Sequence, residues 1–217
     1  MILTFAGAIN AQDEDVPKFE VGGQFTVLSG GRPTPISSLP IIVPDDFEDI
    51  TRLGFGGRFT YNLTNTIAIE AEGNFFPNTK DFQDLSVPGG SVFQAQFGVK
   101  AGKRFSKIGI FGKARPGFVR FSEASRMTGT TTITFNNQQF THGLFTLGSE
   151  TDFSMDLGGV VEFYPSRRIV TRVDFGDTII RYGVYQRESF ILSVPFVQRP
   201  AETKHNFQFS AGIGFRF

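Results

Sequence analysis

Residues 206–217 read Asn-Phe-Gln-Phe-Ser-Ala-Gly-Ile-Gly-Phe-Arg-Phe. Every second residue is apolar, and the residues between are polar or glycine. Period-two alternation of this kind places one face of a β-strand in an apolar medium and the other in a polar one. The same pattern recurs upstream. With this stretch, counted from residue 204, it predicts eight strands over 18–28, 51–62, 66–76, 92–105, 108–120, 151–163, 169–181 and 204–217. No window keeps apolar residues at helical spacing for more than a turn.

The two parities differ in kind. One carries Phe19, Val21, Phe25, Leu53, Phe55, Phe59, Ile67, Ile69, Phe93, Phe97, Phe153, Leu157, Val173, Phe175, Phe207, Phe209, Ile213, Phe215 and Phe217. The other carries the cations Arg58, Lys100, Arg104, Lys113, Arg115, Arg172 and Arg216, and the anions Glu20, Glu70, Glu72, Asp156, Glu162 and Asp174. A soluble carrier barrel of the lipocalin kind would turn the greasy parity inward, whereas a membrane barrel turns it outward. Three features favour the membrane barrel. The charged set is nearly balanced, as a sealed interior of paired ions requires. Gly22, Gly54, Gly56, Gly98, Gly102, Gly158, Gly176, Gly212 and Gly214 all fall on the charged parity, where they leave room for long side chains. Aromatic residues cluster at strand ends: Tyr61, Phe105, Phe163, Tyr164 and Phe217 at one level, and Phe25, Phe75, Phe76, Phe93, Phe121, Phe153, Tyr182 and Phe207 at the other. Two such belts mark membrane interfaces.

The connections alternate in length. Asn62-Leu63-Thr64-Asn65, Ser106-Lys107 and Pro165-Ser166-Arg167-Arg168 are tight turns. The connections 30–50, 77–91, 121–150 and 182–203 are long. This asymmetry predicts short periplasmic turns, long extracellular loops and both termini in the periplasm. Within the longest connection, Thr130–Phe135 and Gln138–Phe145 flank Asn136-Asn137 and suggest a projecting hairpin, with Ser189–Val197 as a second projecting element that pairs with it. Pro116 removes a ladder donor from the fifth strand and predicts a bulge or an end to pairing there. Lys103, Arg120 and Asp177 are charges on the outward parity, near strand ends where their cost is small.

The remaining composition bounds function. The 217 residues hold 21 basic and 21 acidic side chains, which gives no basic excess for nucleic acid. Absence of Cys removes disulfides and thiolate metal sites. Residues 1–11, MILTFAGAINA, resemble the end of a signal peptide, with the barrel domain over 12–217. The acidic run Asp45-Asp46-Phe47-Glu48-Asp49 reads as a solvated loop, a weak Ca²⁺ ligand at most. No cofactor or catalytic constellation is expected. His142, His205, Ser189, Ser193 and Glu188 are the residues from which a lipid-modifying enzyme would have to be built, and no spacing among them points to one.

These residues resemble the small eight-stranded outer-membrane barrels typified by the transmembrane domain of outer membrane protein A and by outer membrane protein X. The resemblance covers nearly the whole chain. It implies an all-β, up-and-down antiparallel transmembrane barrel in contact with outer-membrane lipid and lipopolysaccharide. The closing strand, with Phe209, Ile213, Phe215 and the terminal Phe217, looks like the signal read by the barrel-assembly machinery in this family. A closed or narrow lumen, and surface loops that meet an extracellular partner, complete the expectation of a non-enzymatic integral protein. A lipid-modifying enzyme and, less favoured, a lipocalin-like carrier stand as alternatives.

Overall fold

The computed structural model describes residues 16–33, 47–78, 90–135, 138–188 and 196–217. Among the described residues ten strands form: β1 (Phe19–Pro33), β2 (Phe47–Asn62), β3 (Ile67–Phe76), β4 (Val92–Arg104), β5 (Ile108–Phe135), β6 (Gln138–Phe163), β7 (Ile169–Tyr182), β8 (Tyr185–Glu188), β9 (Phe196–Arg199) and β10 (Glu202–Arg216). Eight of them close into a barrel in the order β1-β10-β7-β6-β5-β4-β3-β2, and β8 pairs with β9 as a separate ribbon. All barrel pairs are antiparallel. The seam is made by β1 and β10, where Phe19 and Phe217 exchange two backbone hydrogen bonds of 2.9 Å.

The tight turns lie where the turn chemistry predicts. The Thr64 hydroxyl accepts from the amides of Thr66 and Ile67, and the Ser166 hydroxyl accepts from those of Arg168 and Ile169. These side chains replace ladder partners that the reversing backbone lacks. Phe105 closes the β4–β5 turn through its amide to the Ile108 carbonyl at 2.7 Å.

Sidedness follows the parity. Phe25 is 80% exposed and Phe97 60%, while Glu70 and Arg115 are both fully buried. Phe59 and Phe209 also face outward. Apolar side chains therefore cover the outside over all eight barrel strands. Soluble monomers rarely present contiguous apolar patches beyond a few hundred Å², so this surface is built for acyl chains. The greasy parity does not line a cavity, and the lipocalin-like alternative is set aside.

Several local expectations need correction. Phe76, Phe121 and Tyr182 do not join the belt at the long-loop end. They turn inward and pack with Leu28, Val92, Val119 and Ile180 as an apolar cluster inside the barrel. Tyr164 also points in, not to the other belt. Pro116 produces no bulge. The β4–β5 ladder lapses at Phe97 and Gly98, opposite Pro116 and Arg115, and then resumes in the same register from Val99↔Ala114. Proline has no amide hydrogen to give, and the flanking pairs hold the register across the gap. Most of the 121–150 connection is strand: β5 and β6 stay paired to Phe135↔Gln138, with register shifts at Phe121/Ala124 and Met127/Gly129. Phe196–Arg199 pairs with Tyr185–Glu188, not with that hairpin, and residues 189–195 fall outside the described residues. Glu48 and Asp49 belong to the start of β2, while Asp45, Asp46 and residues 1–11 also lie outside the described residues.

Candidate functional site

The polar parity converges on the barrel axis in three layers. The middle layer holds most of the charge. Arg172 on β7 reaches across the lumen to grip both carboxylate oxygens of Glu70 on β3, with Nη2 at 2.9 Å from Oε2. Its Nε and Nη2 also donate to Asp174, at 2.7 and 2.6 Å. Arg115 on β5 donates to Glu72 and, through Nε at 2.9 Å, to Asp156. Lys113 pairs with Asp156 at 2.8 Å and Asp174 at 3.6 Å. Lys100 pairs with Glu162, and stands 3.4 Å from Glu70. Arg58 completes the layer, 3.8 Å from Asp174 and hydrogen-bonded to Gln24. Planar guanidinium groups suit this role because each presents a fork of donors to several carboxylates at once.

The layer beside the short turns is built around Glu20 on β1. It accepts from Asn62 at 3.0 Å and from Arg216 at 3.1 Å, and lies 3.6 Å from Arg104. Tyr164 donates to Glu162 at 2.7 Å and accepts from Arg104 Nε at 2.8 Å. The Arg216 guanidinium covers the Tyr164 ring at 4.4 Å, and Arg104 covers Phe111 at 5.4 Å. Cations stacked on rings close this end without needing further anions.

Towards the long loops, charge gives way to amides. Gln24 donates to Asn74, Asn74 to Gln94, and Gln94 to Gln208, each at 2.9 Å. Above them sits the apolar cluster, with the Phe121 and Tyr182 rings 6.0 Å apart. The lumen is thus filled by paired ions, capped by amides, and stoppered by hydrocarbon.

All residues expected in the lumen charge network face the interior. Arg52 and Asp152, outside the charged set expected from the sequence, are also buried on the inward face. Both continue the inward parity of their strands, so alternation alone would have found them. Gln24, Asn74, Gln94 and Gln208 fall on the same inward parity without belonging to the charged set, whereas Tyr164, expected in the belt, turns in.

The inward glycines act in two ways. A Cβ at Gly56 would fall 2.0 Å from Asn74 Oδ1 and 2.4 Å from the Gly73 carbonyl oxygen, and one at Gly54 would fall 2.6 Å from both the Phe76 ring and the Phe75 carbonyl oxygen, so these positions yield space to side chains as well as to backbone. At Gly98, Gly102 and Gly158 the nearest obstacle is the backbone of the next strand, at 2.1 Å. On the concave face of a narrow barrel, neighbouring strands crowd any Cβ between them. Long charged chains are therefore only part of the reason for glycine here.

Phe209, Ile213, Phe215 and Phe217 face outward along β10, and the Phe217 ring stacks on Phe19 at 5.8 Å. His205 lies on the outer surface, hydrogen-bonded to Asp177, remote from the lumen network. Ser189 and Ser193 fall outside the described residues, as do the side chains of His142 and Glu188. Among the described residues no group of His, Asp and Glu is arranged to hold a metal ion.

No protein-family model and no curated protein sequence matches this chain. Solved structures do. Neisserial surface protein A is similar over 92% of this chain and 97% of its own, with a TM-score of 0.51 and 10% identity. Ail, the attachment invasion locus protein of Yersinia pestis, is similar over 93% of this chain and 100% of its own, with a TM-score of 0.50 and 9% identity. At such identities the likeness speaks for the backbone fold alone. The chain thus has the fold of the small eight-stranded outer-membrane β-barrels, a closed antiparallel barrel.

Proposed function

We propose that the protein is a non-enzymatic integral protein of the bacterial outer membrane, with both termini in the periplasm, a lumen that does not conduct, and a working surface on its long-loop side. The observation that carries this reading is the stopper-and-plug arrangement of the interior. A hydrated ion entering from the long loops would meet Phe76, Phe121 and Tyr182, and then a layer in which each carboxylate already has a cation. Opening a path would strand buried charges, at about 3–5 kcal/mol for each broken pair.

The rest of the reading follows the outer surface. Phe-rich belts suit lipid and lipopolysaccharide, the closing strand suits recognition by the barrel-assembly machinery, and the extended β5–β6 hairpin suits an extracellular partner that recognises backbone edges. The neutral charge balance supports no role with nucleic acid.

Single-channel recording in planar bilayers tests the proposal. Purified protein inserted at high salt is expected to give a silent baseline. Regular conductance steps that vanish on removal of the protein would overturn the closed lumen.

A further inference from the structure

The β5–β6 hairpin outruns the strands on either side of it. β4 leaves β5 at Val92↔Phe121, and beyond that pair the Ser122 amide donates to the Ser91 carbonyl at 2.9 Å. β7 leaves β6 at Phe153↔Arg181. Beyond these points β5 and β6 pair with each other, from Ala124↔Gly148 to Phe135↔Gln138. Among the described residues, no strand pairs with either outer edge. Among the described residues each edge is therefore a row of amide and carbonyl groups open to another strand.

Exposed edges are ordinarily guarded by Lys, Pro or bulges. This one is not. From Met127 to Ser149 the sequence contains no Lys, Arg, Asp, Glu or Pro. Both register shifts lie low on the hairpin, and pairing is regular from Gly129 to Phe135. The exposed residues there include Thr130, Thr131, Thr132, Ile133 and Thr134, all β-branched and suited to pleated pairing.

We infer that the missing neighbour is a second copy of this chain, with the β5 edge of one molecule pairing antiparallel to the β6 edge of the next. This rests on the reading of the long-loop side as the working surface. Three observations select the occupant. Barrels in one membrane hold their hairpins on the same side and at the same height. Placed side by side without inversion, one molecule offers an outgoing β5 where its neighbour offers a returning β6. These two sequences already accept each other as antiparallel neighbours: Thr132 stands opposite Thr141 and Ile133 opposite Phe140 within the hairpin. Finally, an uncharged stretch meets its own copy without like-charge repulsion. The contact is head-to-tail, so it builds rings or open rows in the membrane plane, not closed pairs.

The absence of Cys makes the test clean. Thr132→Cys and Thr141→Cys are made in separate, differently tagged proteins, mixed in one vesicle preparation and oxidised gently. The expected result is a mixed disulfide between the two tags, several-fold above the yield of an Ile213→Cys control on the lipid face. Adding Thr131→Lys to the first protein and Leu144→Lys to the second puts like charges on the same face of the facing edges, one pair apart in this register, and is expected to bring the yield down to the control. Heat-modifiable migration verifies that each variant is folded. A yield at control level with folded barrels, or one indifferent to the lysines, overturns self-association and leaves the edge to a foreign strand. The closed lumen is judged separately, by the bilayer recordings, so the two readings fail independently.

Discussion

Glu20 and Arg216 stand opposite each other across the seam where the first and last barrel strands meet, and Arg216 Nε donates to Glu20 Oε1 at 3.1 Å. The closure of the sheet and the filling of its interior are thus one event. The carboxylate that meets Arg216 also accepts from Asn62 on β2 and lies 4.0 Å from Lys100 on β4. The ion network cannot be completed until the two ends of the chain have met.

Removing Glu20 should therefore weaken the barrel more than a single surface pair would. Glu20→Ala leaves Arg216 and Arg104 facing each other in a buried space. A loss of about 3–5 kcal/mol is expected for breaking a buried pair. Urea titration in detergent micelles, followed by the heat-modifiable band on gels, reads the shift. Glu20→Gln keeps the acceptor for Asn62 and should lose less. Equal stability of the wild type and Glu20→Ala would show that the seam does not depend on this network.

Glu70 and Arg172 offer a sharper measurement. Their bidentate pairing spans the lumen from β3 to β7, strands that are not neighbours in the sheet. Glu70→Gln and Arg172→Met are each expected to destabilise by about 3–5 kcal/mol, since each strands a buried partner. The double variant should cost well below the sum, with a coupling energy of up to about 3 kcal/mol. Additive losses in the same unfolding assay would mean that the two groups do not act as a pair.

How much of this was legible in sequence depends on which link is asked about. Alternation placed the barrel strands and their sidedness, because one apolar and one polar medium impose a strict period of two. It also put Glu20, Arg115 and Arg172 inside. The aromatic-belt reading misplaced Phe76, Phe121 and Tyr182, which occupy inward positions at the long-loop ends of their strands. An aromatic near a strand end satisfies either an interface belt or an apolar stopper, and only the positions of seven other strands decide between them. The hairpin was readable as Thr-rich runs around Asn136-Asn137, but its continuity with β5 and β6 was not. The register shifts at Phe121/Ala124 and Met127/Gly129 break the parity that would have joined the pieces.

Gly98 and Gly73 separate the two faces of the sheet. A methyl group at Gly98 would meet the Ala114 carbonyl at 2.1 Å and the Arg115 Cα at 2.6 Å, beside the ladder gap opposite Pro116. Backbone would have to move, so Gly98→Ala should destabilise by about 1–3 kcal/mol. At Gly73, on the outward face, the nearest atom is a carbonyl oxygen 4.0 Å away. Gly73→Ala should be close to neutral in the same assay. Reversal of the two results would refute the crowding of the concave face.

The final prediction bears on the membrane itself. Phe97 lies midway along β4 and projects outward, 60% exposed, whereas Phe105 sits in the tight turn at the end of the same strand. An arginine in place of Phe97 would have to hold its guanidinium among acyl chains or bend far towards a headgroup, at about 2–4 kcal/mol near the midplane. At Phe105 the same side chain would reach headgroups directly, at about 0–1 kcal/mol. Unfolding in lipid vesicles should therefore show a large loss for Phe97→Arg and little for Phe105→Arg. In water-filled surroundings neither site would discriminate, since an exposed Phe replaced by Arg costs almost nothing there. Equal stabilities for the two variants in vesicles would place β4 outside the bilayer, and the depth dependence is what ties the outward-facing phenylalanines to lipid.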